Sequence, residues 1–260
     1  GPPSDALCRR SVLTNAATAL LAAPLVSPLA AVADVYGPNS DMPSGEKKVN
    51  SFLQQQGFPA MKVPGGCSPL VGYIGTAPPA NIDGSKSKER AFDKSLLVRF
   101  VYPNGWLPEV PSITENGESG TLGANNYVKG DSATFTAVPL KGNTLESLSS
   151  NKEFFKNFLS AQMTSDVFED VKPKKITVVK QDDGTEMVLL DFSYTLLTRA
   201  GFTVNRLGAA SAMIVGDTVV GLVTATTALR YKELEEKLHQ SASSFRAYVV
   251  KPPAFSGSII

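Results

Sequence analysis

Ile176-Thr177-Val178-Val179, the turn Asp182-Asp183-Gly184, then Val188, Leu190, Phe192, Tyr194 and Leu196 at every second position form the stretch on which the fold turns. β-Formers on both sides of an Asp-Gly pair signal a hairpin, because Gly readily takes the positive φ such a turn requires. The alternation after it sends one set of side chains to a buried face and the other set to the opposite face. A second hairpin follows at once: Leu207 to Val215, the turn Gly216-Asp217, and Thr218 to Thr226. The period then changes from two to 3.6, and Tyr231, Leu234, Leu238 and Phe245 share one face of a helix over residues 231–245.

Upstream of the hairpins, Leu96-Leu97-Val98-Arg99-Phe100-Val101-Tyr102 reads as a strand closed by the turn Pro103-Asn104-Gly105, with Trp106, the only tryptophan, as a core anchor beside it. A further strand is expected over Ala133 to Val138. Helical spacing then places Phe155, Phe158, Leu159 and Met163 on one face, with Ser150 as N-cap and Glu153 closing a capping box. Antiparallel hairpins with helices before and after them give an α+β domain, a central antiparallel sheet flanked by helices, over residues 94–260.

Residues 34–93 differ in composition. Gly37-Pro38, Met42-Pro43, Phe58-Pro59, Val63-Pro64-Gly65-Gly66 and Ala77-Pro78-Pro79 punctuate them, and apolar stretches such as Val71 to Ile74 are short. This reads as an extended arm with one short helix over residues 47–56.

Residues 1–33 read as a targeting signal. Arg9-Arg10 precede a small apolar stretch that ends in Ala31-Val32-Ala33, the order of a twin-arginine export signal cleaved after Ala33. Pro24 and Pro28, and Ala in place of Leu or Ile, argue against a membrane span. Behind an organellar transit segment such a signal leads to the thylakoid lumen. The same signal serves a bacterial periplasm.

The whole chain has 25 Lys and Arg against 24 Asp and Glu, a formal net charge of +1. Removing the signal takes away Arg9, Arg10 and Asp5 and leaves the rest neutral. The interleaved charges give no nucleic-acid footprint. Cys8 and Cys67 have no metal-ligand spacing, and Cys67 is alone once the signal is gone. His239 is the one histidine. Ser119 lacks the G-x-S-x-G setting of a hydrolase nucleophile, so a serine hydrolase is not expected. His239 with Glu235 or Glu236 makes a poor transition-metal site. Glu115, Glu118 and Asp131, or Asp182 and Asp183, offer oxygens for calcium without the spacing of a calcium loop, and read as turn and surface residues.

Several strings, in their order, resemble the PsbP family. They are Phe100-Val101-Tyr102-Pro103-Asn104-Gly105-Trp106, the hairpin at Asp182-Asp183-Gly184 leading to Leu190-Asp191-Phe192-Ser193-Tyr194, the strand pair at Gly216-Asp217, and Ala225-Thr226-Thr227 to Arg230-Tyr231 with the helix ending in Ser244-Phe245-Arg246. The resemblance spans residues 96–249. It implies an α/β/α sandwich, no catalytic activity, no directly bound cofactor, and a peripheral place on the luminal side of a photosystem in the chloroplast thylakoid. Photosystem II is the first expectation, where family members help retain the calcium and chloride of the oxygen-evolving complex. Other members act in photosystem assembly or on other complexes, and photosystem I is an alternative partner. Residues 34–93 are longer than the N-terminal region expected of the photosystem II subunit. The candidate partner-binding residues are Lys47, Lys48, Lys62, Lys86, Lys88 and Arg90, a basic set on the arm suited to acidic luminal loops. Lys94 and Arg99 continue that basic run, faced only by Glu89 and Asp93.

Overall fold

A computed structural model describes residues 35–75, 95–114, 117–161, 163, 167–198 and 200–251. Residues 1–33, read as the targeting signal, lie outside the described residues.

In chain order the elements are α1 (Glu46–Gln55), β1 (Cys67–Ile74), β2 (Leu96–Pro103), β3 (Leu107–Glu109), β4 (Ser112–Thr114), β5 (Gly117–Ser119), β6 (Gly123–Asn126), β7 (Asp131–Pro139), α2 (Leu145–Ser150), α3 (Lys152–Ser160), β8 (Phe168–Lys180), β9 (Glu186–Leu197), β10 (Thr203–Val215), β11 (Thr218–Thr227), α4 (Ala228–Ser244) and β12 (Arg246–Val249). A seven-stranded sheet runs β3-β6-β7-β11-β10-β9-β8 and a three-stranded sheet runs β1-β2-β12. Their pairings are antiparallel. The fold is α+β, as expected.

Helices α2 and α3 cover one face of the large sheet. Leu148, Phe155, Phe158 and Leu159 pack there on Val188, Phe192 and Tyr194, the side chains that the alternation assigned to one face. Two strand glycines admit this packing. A Cβ on Gly208 would lie 2.0 Å from the Thr224 carbonyl oxygen and 2.6 Å from the Phe192 ring, and one on Gly221 would lie 1.8 Å from the Ser211 oxygen and 2.8 Å from the Phe158 ring. On the other face α4 packs against β10, β11 and β2. The small sheet shares its core there, with Leu96, Val98 and Phe100 joining Phe135, Leu222, Leu238 and Phe245. Trp106 is buried in that core, as its place beside Pro103 suggests.

The extended arm expected over residues 34–93 is corrected for residues 35–75, which are folded onto the domain. β1 pairs along its full length with β2, from Cys67 opposite Pro103 to Ile74 opposite Leu96. Helix α1 then buries Val49 and Leu53 on the outer side of this sheet with Met61, Val71, Leu97 and Val101. β2 is thereby covered on both faces, which explains why all of its residues are buried and why, apart from Arg99, they are apolar. Asn39 pins the segment in front of α1. Its amide donates to the carbonyls of Tyr73 (2.9 Å) and Pro111 (2.8 Å), and its Oδ1 accepts from the Tyr73 N–H (2.8 Å). Pro and Gly here shape tight turns rather than an arm. Residues 76–94 lie outside the described residues.

Two local expectations shift. Asn151, not Ser150, caps α3, its side chain accepting from the Phe154 N–H at 2.9 Å. Ser150 closes α2, and the capping box is that of α2, between Thr144 and Ser147. Strand β8 begins at Phe168 rather than Ile176, with register shifts between Glu169 and Lys172 and between Lys174 and Thr177. Its bulges hide the alternation, and Pro173 and the lysines suit an edge strand.

Candidate functional site

Helix α4 is narrower than the sheet it crosses. Beside it, β8 and β9 form the floor of an open groove of about 820 Å³. There the 12-residue alternation of β9 aims Asp191 at the helix, where it meets His239 Nε2 at 2.6 Å. Lys175, turned by the second bulge of β8 through a φ of 44°, brings its ammonium to 3.2 Å from the same carboxylate. Burial, with Asp191 and Glu235 nearby, pushes the Tyr231 hydroxyl up to about 12. The imidazole is therefore held by a carboxylate. Ser119, the serine considered as a nucleophile, stands exposed in the separate β4–β5 pair.

Beyond Gln240 and Ser243 the groove adjoins a second pocket of about 290 Å³. Arg99 of β2 and Arg246 of β12 are directly opposite in the small sheet, both buried. Asp183, at the turn between β8 and β9, reaches in between. Arg246 grips it through Nε (2.6 Å) and a terminal nitrogen (3.2 Å), while the nearer terminal nitrogen of Arg99 is 3.9 Å away. Partial burial alone would raise the Asp183 carboxyl; hydrogen bonds from Arg246 and Thr185 overcome that and hold it at about 2.

The third feature is one end of the large sheet. Strand register sets the turns at 127–130 and 198–202 and the first turn of α4 beyond the same transverse line, since Arg206 is opposite both Thr227 and Tyr194, and Ala225 is opposite Ser132. Tyr127, Val128, Leu197, Phe202 and Leu229 project there, with Val128 94% and Leu229 96% exposed. Neighbouring strands are about 4.8 Å apart, so β7, β11, β10 and β9 spread these side chains over roughly 15 Å across the sheet, with Leu197 and Phe202 standing further out along the strands than the 127–130 turn. Behind them the end is braced. Asp131 accepts from Thr226 Oγ1 (2.6 Å) and from Arg230 (3.0 and 3.2 Å), and Arg206 lies over the Tyr194 ring at 5.7 Å.

The expected site residues are dispersed. Lys47 and Lys48 are exposed on α1, and Lys62 lines the rim of the Arg99 pocket. Lys86, Lys88 and Arg90 lie outside the described residues, as do Lys94 and Glu115. Arg99 is not part of a surface run; it is buried. Of the oxygens considered for calcium, Asp131 is spent on Arg230 and Asp183 on Arg246, Glu118 is buried and accepts from the Gly75 N–H, and Asp182 is exposed. Among the described residues no group of three or more His, Cys, Asp or Glu is placed to hold a metal. None of the helices among them is long and apolar enough to cross a membrane. The arginine–aspartate pocket unites residues 63 to 147 positions apart in the chain, and its one sequence signal is Arg99 inside an otherwise apolar strand.

No family model matches the chain, and no curated protein matches it. Among solved structures it is similar to cyanobacterial PsbP (CyanoP) from Synechocystis sp. PCC 6803, at 15% identity and a TM-score of 0.41, covering 65% of this chain and 98% of that one.

Proposed function

We propose that the mature chain is a non-catalytic, PsbP-like peripheral protein of the thylakoid lumen that docks on a photosystem through the apolar end of its large sheet. The observation that carries the docking reading is the exposure of Tyr127, Val128, Leu197, Phe202 and Leu229 at the same end of the sheet. Exposed large apolar side chains gathered in one place mark interaction surfaces, whereas scattered ones do not. The twin-arginine signal and the ordered strings between Phe100 and Arg246 support the compartment and the family. Photosystem II is the partner we assign, with the bound protein slowing exchange of calcium and chloride at the luminal face. Lys47, Lys48, Lys62, Lys86, Lys88 and Arg90 would contribute salt-sensitive steering to the same encounter.

The test is reconstitution of the chain without residues 1–33 onto washed thylakoid membranes. Stoichiometric binding to photosystem II that falls at least tenfold in the double variant Phe202→Ser, Leu229→Ser, with an unchanged Tm, is the expected result. Undiminished binding by that variant refutes the docking surface. Binding to photosystem I changes the partner, and presence only in assembly intermediates identifies an assembly factor.

A further inference from the structure

The charges around the second pocket do not balance. Arg99 and Arg246 are directly opposite each other on adjacent antiparallel strands, an arrangement that like charges disfavour. Both side chains are more than nine-tenths buried. Arg246 is fully engaged: Nε and one terminal nitrogen hold Asp183, and the other terminal nitrogen donates to the carbonyls of Ser243 (2.9 Å) and Phe245 (2.8 Å). Arg99 is not. Nε reaches the Tyr248 hydroxyl at 3.3 Å, one terminal nitrogen reaches the Ser244 carbonyl at 3.3 Å, and the other is 3.9 Å from Asp183, beyond hydrogen-bond distance. Among the described residues one carboxylate thus serves two guanidinium groups, and the second cation is buried with long, neutral partners. A buried cation without its own counter-charge is unfavourable, and an anion in front of it would relieve the imbalance.

The pocket supplies the room. Its walls include Lys62, Gln181, Asp182, Gln240 and Ser243 around the two arginines and Asp183. Asp182 lines it yet forms no ion pair among the described residues. Two carboxylates on the wall repel a multiply charged anion. A planar monoanion matches both the spare charge and the fork of a guanidinium. We infer that this pocket is a carboxylate-binding site, with Arg99 as the primary contact and Lys62 at the entrance. Either a free small carboxylate or a Glu or Asp side chain inserted by another protein carries that chemistry, and a volume of about 290 Å³ admits both.

The experiment follows the side-chain N–H signals of Arg99 and Gln240 by NMR in the full chain, titrated with acetate at constant ionic strength, with chloride as the balancing ion. The expected result is a saturable shift at Arg99, weakened at least tenfold in Arg99→Gln and strengthened severalfold in Asp182→Asn. Ser243→Asp, which leaves Arg99 in place and supplies a carboxylate from within, is expected to raise Tm and abolish the shift. A blocked Gly-Glu-Gly peptide that binds at least tenfold more tightly than acetate assigns the pocket to an inserted side chain, and equal affinity assigns it to a free carboxylate. Absence of a saturable acetate shift overturns the inference, as does a Ser243→Asp protein that still titrates like the parent.

Discussion

Replacing Asp183 by Asn removes the one carboxylate that Arg246 grips while keeping the size of the side chain. The carboxyl is held at about 2 against an ordinary value of 3.8. Each unit is worth about 1.4 kcal/mol, which gives roughly 2.5 kcal/mol. The side chain is 20% exposed, so solvent screening brings this nearer to about 2 kcal/mol. Left without it, Arg99 and Arg246 face each other across two strands, and breaking a buried pair in this way costs up to about 3–5 kcal/mol. A loss of about 2–4 kcal/mol at pH 7 is the expected total. The pH dependence has a definite sign. A carboxyl whose folded value is depressed contributes stability above its unfolded value, near pH 4, and loses it as pH falls through about 2. The gap between parent and Asp183→Asn is therefore full at pH 7 and narrows between pH 4 and pH 2. Urea unfolding followed by the fluorescence of Trp106, which is buried, measures it at both ends. Equal midpoints at pH 7, or a gap that persists undiminished at pH 2, would refute the reasoning. Asp182→Asn, at an exposed neighbour without an ion pair among the described residues, is the control and should change stability by less than about 0.5 kcal/mol.

Gly221→Val drives a side chain into the Ser211 carbonyl and the Phe158 ring, both within 2.8 Å of the first added carbon, and should cost about 3 kcal/mol or more. A thermal melt within a degree or so of the parent would contradict this. Deletion of residues 34–75 strips β1 and α1 from the small sheet and exposes Leu97 and Val101, both fully buried in the intact protein. Each such side chain carries about 1.5–3 kcal/mol of burial. The shortened chain is expected to bind a hydrophobic dye and lose its cooperative transition, and a transition as sharp and as late as the parent's would restore the reading of this segment as an arm.

The parts of the fold legible in the sequence were those whose signals are local. An Asp-Gly turn between β-formers, the alternation from Val188 to Leu196 and the helical face of Tyr231, Leu234 and Leu238 each depend on residues a few positions apart, and each is where it was expected. The evidence for β1 is non-local. Cys67–Ile74 contains a Pro and a Gly and looks like a turn-rich segment until Leu96–Pro103 is laid beside it. The start of β8 was hidden for a different reason: Asp170 and Lys175 take positive φ at its bulges, and each extra residue inverts the alternation that a strand is recognised by. For the candidate sites, the basic residues of the segment before β2 could be named but not brought together. Sequence proximity groups Arg99 with them, although burial places it with Asp183 and Arg246 instead.

The two faces of the large sheet are built for different purposes. On the α2 and α3 side, Phe155 and Phe158 stack edge to face and Phe158 closes over Gly221, a tightly packed aromatic layer. On the α4 side a single helix covers only part of the sheet, and charged groups occupy the positions it leaves open: Asp191 with His239 and Lys175, Asp183 with the two arginines, and Asp131 with Arg230. Each of these carboxylates ties a strand or turn of the large sheet to α4 or to the strand after it. The same bonds that seat the helix thus shape the groove, the pocket and the base of the apolar end. Substitutions in the aromatic layer should lower stability and binding together. Those at exposed Phe202 and Leu229 touch no such tie and should separate binding from stability.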